Sequence, residues 1–326
     1  VPALQLDYTT GARIYAGNFG PSLLRSVNTG ASFSAIALTG VNSVNAIAID
    51  PRSCTPLPII GTCTSGPLQT LFIGGSENSS AALGANSRAL QVSDDGGLTF
   101  NAVVGIPRPL SATQVLRVTS IAINNGNRNL VYAGTAFVGT GGFAGSTNGV
   151  FKSTNNGRNW SPANTGLPQL QVGANTGYNV GAIETTPVNG SVIYVGMYDN
   201  PLAPSALSGL YKSSNDGASW TLVGLSGRMV RDIVVNANNA NTVYVGLSGT
   251  AAGPGGVVRS LNAGATWESI STGLPAAGAY ALVARGPQLF AGTPSGVYDF
   301  FQGPDNDLDN VTTSVEDAAP NAGDLN

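Results

Sequence analysis

The chain contains no histidine among its 326 residues. That excludes Ser-His-Asp triads, Cys-His pairs and His-ligated metal sites. What remains able to do chemistry is a set of carboxylates, arginines and tyrosines, and two cysteines. Of the 17 acids, Glu184 in VGAIETT and Asp232 in VRDIVVN lie in β-branched runs of the same pattern. Aligned as strands, the two runs put both carboxylates on one parity, facing the walls of a common channel. Arg231 sits beside Asp232. Two carboxylates across a cleft, one with its pKa raised so that it acts as an acid, are enough for glycoside hydrolysis. Two hydrogen-bonded carboxylates in a polar channel would leave the same trace in the sequence, and the expectation is that the chain is not an enzyme.

Cys54 and Cys63 share one Pro-rich stretch, SCTPLPIIGTC. A bridge between them would staple a local loop and places the chain in an oxidising compartment. The 14 basic residues include only Lys152 and Lys212 as lysines and form no cluster, which argues against a nucleic-acid footprint or an anionic membrane surface. No apolar run approaches the roughly 20 residues needed to span a bilayer, and nothing resembles a cleavable leader. The expected setting is extracellular or cell-surface, with the leader already removed.

After Phe301 the composition changes. Residues 303–326 hold six of the 17 acids and no base. Within them DNDLDNVTTSVE fits the 12-residue calcium loop, with Asp305, Asp307 and Asp309 at positions 1, 3 and 5, the Val311 carbonyl at 7 and Glu316 at 12. Asn310 stands where that loop usually has Gly. With no preceding helix, the segment resembles the isolated calcium loops of dockerin and thrombospondin type-3 repeats, and Ca²⁺ is the expected ligand.

The elements that must position these residues follow from an internal repeat. A phrase of the form aliphatic-aromatic-aliphatic-Gly occurs six times, as IYAG from Ile14, LFIG from Leu71, VYAG from Val131, IYVG from Ile193, VYVG from Val243 and LFAG from Leu289. A β-branched run precedes each phrase and another follows it. Short strands repeating every 46 to 62 residues are the pattern of a radial all-β array, a β-propeller of six blades over residues 1–302 with residues 303–326 as an acidic tail.

A second repeat marks the turn into the fourth strand of a blade: SVNTGASF from Ser26, SDDGGLTF from Ser93, STNNGRNW from Ser153, SSNDGASW from Ser213 and SLNAGATW from Ser260. Here Asn or Asp bonds back to local N–H groups, Gly takes a positive φ and the aromatic packs beneath. These residues resemble the Asp-box (BNR-repeat) propeller family, which includes sialidases, xyloglucan-active hydrolases, sortilin-type receptors and a photosystem assembly factor. The resemblance implies the fold and leaves the activity open. The sialidase pattern of three substrate-binding arginines, a Tyr/Glu pair and Arg-Ile-Pro is not met, the nearest stretch being Gly105-Ile106-Pro107-Arg108.

Long Gly/Ala/Ser-rich connections between second and third strands all open on one face, which is the expected recognition surface. No sixth box follows GVYDF at Gly296 to Phe300, so the last blade is expected to be one strand short, its edge exposed or filled by Val311 to Val315 or by a neighbouring subunit. The functional expectation is a secreted, non-catalytic surface propeller that binds a glycan or protein or assembles with copies of itself. The alternatives are a polysaccharide hydrolase using Glu184 and Asp232, and a protein-binding receptor or assembly factor.

Overall fold

The computed structural model describes residues 3–7, 13–50, 70–77, 86–108, 114–139, 148–172, 175–187, 190–198, 205–276, 278–285, 288–301 and 308–311. All regular structure among them is β, with no helix. The repeated phrases fold as four-stranded antiparallel meanders. These are β1–β4 (Leu4–Leu6, Ile14–Gly17, Ser22–Ser26, Ser34–Ala37), β5–β8 (Ser43–Ile49, Leu71–Glu77, Leu90–Ser93, Asn101–Ala102) and β9–β12 (Gln114–Ile123, Val131–Gly139, Val150–Ser153, Ser161–Pro162). After a short hairpin, β13–β14 (Leu170–Val172, Asn175–Gly177), come β15–β18 (Val180–Thr185, Ile193–Met197, Gly209–Ser213, Thr221–Gly224), β19–β22 (Met229–Val235, Val243–Ser248, Gly256–Ser260, Glu268–Ser269) and β23–β26 (Ala281–Arg285, Gln288–Thr293, Gly296–Phe301, Leu308–Val311). The long β6 and β9 also pair with each other, fusing two meanders into one eight-stranded sheet.

Each meander presses one face on the next, and an apolar cluster fills each junction. Tyr15, Leu23 and Leu71 fill the first, and Tyr244, Leu282 and Phe300 the last. Among the described residues the outermost faces lack such cover. Leu4 of β1 is 68% exposed, whereas Ile183, Ile233 and Leu282, at the same register position, are 3 to 5% exposed.

The five boxes adopt one geometry. Each Ser Oγ donates to the Asn or Asp Oδ1 at 2.6 to 3.0 Å and accepts the box Gly N–H at 2.8 to 2.9 Å. The Oδ1 in turn accepts the N–H four residues on at 2.8 to 3.0 Å. Closing so tight a turn forces Thr29, Asn156, Asp216 and Ala263 to φ near 55°. That conformation costs a non-glycine residue energy, which the side-chain hydrogen bonds offset.

The boxes also tie neighbours together. The second-strand tyrosines Tyr15, Tyr132 and Tyr194 donate to Gly96, Asp216 and Ala263 carbonyls of the following meander at 2.8, 3.2 and 3.0 Å. Where that strand carries Phe72, the ring lies against Gly157, whose missing Cβ would stand 2.1 Å from Phe72 Cε1.

Asp95 is the one acid at its box position. Partial burial works against its charge, but hydrogen bonds from Ser93, Thr99 and Leu98 outweigh this and hold its pKa at about 2. A depressed carboxyl pKa contributes stability above the ordinary Asp range and loses it as pH falls towards about 2. Asp95→Ala is expected to lose about 0.5–1 kcal/mol at neutral pH, since solvent screens these exposed hydrogen bonds, measured by denaturant unfolding. Asp95→Asn should lose less, and the penalty of the Ala variant should shrink as the pH is lowered below 4.

The last meander corrects one expectation. It is not one strand short: Leu308–Val311 pairs antiparallel with β25, opposing Val297 to Val311 and Phe300 to Leu308. The open edge of β25 offers a row of unpaired N–H and C=O groups, and the acidic segment returns soon enough to use it.

Candidate active site at the channel mouth

Four first strands begin with the same irregularity. VNAI, VTSI, VGAI and VRDI place apolar residues at i and i+3, out of step with the two-residue period of a strand. The pairing accommodates this by a register shift between Val44 and Ala46, Val180 and Ala182, and Val230 and Asp232, and opposite Gly134/Thr135 in β9. Each is a bulge, which leaves one residue unpaired and re-aims its side chain. The extra residues are Asn45, Thr119, Gly181 and Arg231.

Their roles differ with residue type. Asn45 donates to Ser76 Oγ at 3.0 Å, and Thr119 donates to the Gly134 and Val180 carbonyls at 3.0 and 2.8 Å. At Gly181 a Cβ would stand 2.3 Å from the Val230 carbonyl oxygen, so only glycine fits. Arg231 donates Nε–H to Ser248 Oγ. Tyr280 occupies the corresponding place in AYAL, its N–H bonded to the Gly292 carbonyl at 2.9 Å.

Below this layer lie the two carboxyls. Glu184 is the third residue past its bulge and lines a cavity of about 420 Å³ together with Gln5, Ile47 and Ile121 from three other first strands. Desolvation among these walls pushes its pKa up to about 8, and the charge of Asp232 adds to the rise. Asp232 is the first residue past its bulge. Burial raises it to about 6, held back by two backbone hydrogen bonds to the carboxylate, from Ile233 N–H at 2.9 Å and from Leu282 N–H of the next meander at 2.7 Å.

The two carboxyls are thus close enough to couple, with affinities for the proton driven apart. Both raised values favour the neutral acid in the folded chain. Their contribution to stability is fully present below about pH 4 and declines as pH rises through about 6 and about 8. Melting temperature is expected to fall across that window, and Glu184→Gln should flatten the upper part of the fall.

The other sequence candidates are dispersed. Cys54, Cys63, Asp305, Asp307 and Glu316 lie outside the described residues. Asp309 and Val311 belong to β26, where Asp309 stands opposite Asp299 in register. Sequence reading noted Arg231 only as a neighbour of Asp232 and passed over Tyr198 and Tyr280. The guanidinium carbon of Arg231 lies 5.5 Å from the Tyr198 ring centroid and 5.4 Å from that of Tyr280. The break in strand period at VRDI was the signal that could have found Arg231.

No family model matches the chain, and no curated protein matches it in sequence. Solved structures do. An ancestral GH74 enzyme superposes with a TM-score of 0.64 at 19% identity, covering 95% of this chain and 37% of its own. The GH74 xyloglucanase from Xanthomonas campestris gives 0.61 at 14% identity, with 95% and 46% coverage. The extracellular domain assigned to a one-component system of B. thetaiotaomicron gives 0.58 at 15%, with 96% and 33%. The chain spans less than half the length of each, and shares with them the β-propeller fold. These likenesses correct the expectation of a non-catalytic binding or self-assembling surface subunit, and of no enzyme. Enzymes of the glycoside hydrolase class stand among the structures it resembles.

Proposed function

We propose that the chain is a polysaccharide-active glycoside hydrolase in which Glu184 is the acid and Asp232 the ionised partner. One observation carries this reading: Glu184 lines a cavity of about 420 Å³ and feels the charge of Asp232, and burial pushes the two carboxyls up to about 8 and about 6, the division of labour that glycosidic cleavage needs. At neutral pH Glu184 holds a proton to give to the departing glycosidic oxygen. Asp232 carries the negative charge that faces the positive charge developing on the sugar carbon. The likeness to GH74 enzymes supports the same reading.

Within this proposal the meanders are the six blades of an Asp-box propeller, the bulge layer is the mouth of its channel, and the setting is extracellular, as for the neighbouring extracellular domain. Calcium binding by residues 305–316 is a separate proposal, tested by tail proteolysis with and without chelator. Incubation with xyloglucan, other β-glucans and sialosides, with reducing ends counted, tests the main one. Release of new reducing ends that both Glu184→Gln and Asp232→Asn abolish is the expected result, and no release from any of them overturns it.

A further inference from the structure

We infer that Arg231 selects a glycan bearing carboxylate or sulfate groups, so that the substrate is an acidic polysaccharide rather than a neutral one. This deepens the glycosidase reading and rests on it for the position of the scissile bond. The bulge in β19 lifts Arg231 out of the ladder. Tyr198 flanks the guanidinium from the preceding meander and Tyr280 from the following one, at 5.5 and 5.4 Å. Two aromatic rings hold a guanidinium in one plane at little entropic cost.

The Nε–H is committed to Ser248 Oγ. Among the described residues no carboxylate is in ion-pair range of Arg231. Its neighbour Asp232 instead has both oxygens on the backbone N–H groups of Ile233 and Leu282. What is left open is the outer Nη edge, two coplanar N–H groups that match a carboxylate or sulfate in bidentate fashion.

The surroundings favour an anion. Arg228 immediately precedes β19, and Arg117 lies in β9 two residues before its bulge residue Thr119. Of the acids described there, Glu77 is bound to Arg108, Glu184 holds its proton at neutral pH, and Asp232 has both oxygens engaged by backbone N–H groups. A sugar ring whose anionic group sits on Arg231 brings its neighbouring glycosidic bond over Asp232, the next residue in the strand.

The test is calorimetric binding to Glu184→Gln protein, which blocks turnover. The probes are an oligomer of galacturonic acid, a sulfated glucan oligomer and a neutral β-glucan oligomer of equal length. The uronate or sulfated probe is expected to bind at least tenfold more tightly than the neutral one, and the better of the two identifies the anion. Adding Arg231→Gln or Arg231→Lys should remove that advantage, so that the anionic probes bind no more tightly than the neutral one. Tyr280→Ala, at a half-exposed ring, should weaken anionic binding by about threefold. Equal affinity for all probes, or undiminished anionic binding in Arg231→Gln, overturns the inference.

The two readings fail separately. Wild-type cleavage of neutral glucan that Arg231→Gln leaves intact removes this inference and keeps the hydrolase. Tight uronate binding with no cleavage of any glycan removes the hydrolase and keeps the anion site.

Discussion

Glu184→Gln is expected to lower hydrolysis at neutral pH by a factor of about a thousand, since the amide cannot give the leaving oxygen a proton, and general acid–base groups contribute about 10²–10⁴-fold. Asp232→Asn should fall as far, for the opposite reason: it removes the charge that faces the forming cation. The wild-type pH profile carries the more specific signature. Rate should rise through about pH 6 as Asp232 ionises and fall through about pH 8 as Glu184 loses its proton. Because the two sites interact, these are apparent values of the pair. Measuring initial rates from pH 4 to pH 10 checks both limbs. A profile that rises monotonically to pH 10 contradicts the assignment of Glu184 as acid.

The largest structural effect is expected at Glu77. Its side chain is fully buried at the end of β6, one oxygen 2.8 Å from Arg108 Nε and the other accepting from Arg88 N–H at 2.8 Å and from Ser87 Oγ. Arg108 is itself 11% exposed. Glu77→Ala takes the carboxylate away from the buried Arg108 guanidinium and from the Ser87 hydroxyl, and removing one member of a buried ion pair typically costs about 3–5 kcal/mol. Replacing both Glu77 and Arg108 by leucine should recover more than half of that loss, since the desolvation of two charges is removed along with their attraction. Urea unfolding of the single and double variants measures the difference. A Glu77→Ala variant as stable as the parent would show that the pair contributes nothing.

Much of the array is legible in the sequence because each meander repeats the same local chemistry. IYAG, VYAG and LFAG lie in second strands, and every Ser-x-Asn/Asp-x-Gly phrase forms its turn, since the bonds that close it lie within five residues. The parity of Glu184 and Asp232 is likewise local: they stand opposite Tyr194 and Gly246, the second and fourth positions of the repeated phrase. What eluded sequence reading depends on partners far along the chain. The Leu282 N–H that steadies Asp232 comes from 50 residues away, and the Glu77–Arg108 pair joins groups separated by a long connection. The fourth strand of the last meander carries Asp309 and Asn310, residues poor in strand propensity, and an available edge decided its pairing. The bulges were visible in principle, since apolar residues three apart break a period of two, but strands sought by alternation alone smooth over such a break.

The tyrosine contacts between meanders have a consequence for how the chain comes off the ribosome. Tyr15, Tyr132 and Tyr194 find their carbonyl partners 81, 84 and 69 residues further on. A meander that has just emerged therefore has its own turns satisfied but its largest ring unsealed, and it waits for the whole of its successor before that hydroxyl is paired. At a synthesis rate of about 5–20 residues per second, each unit spends several seconds half-finished. The nascent protein thus carries a single travelling open face, always on the most recently made sheet, and this moving front is the stretch that a chaperone would have to shield.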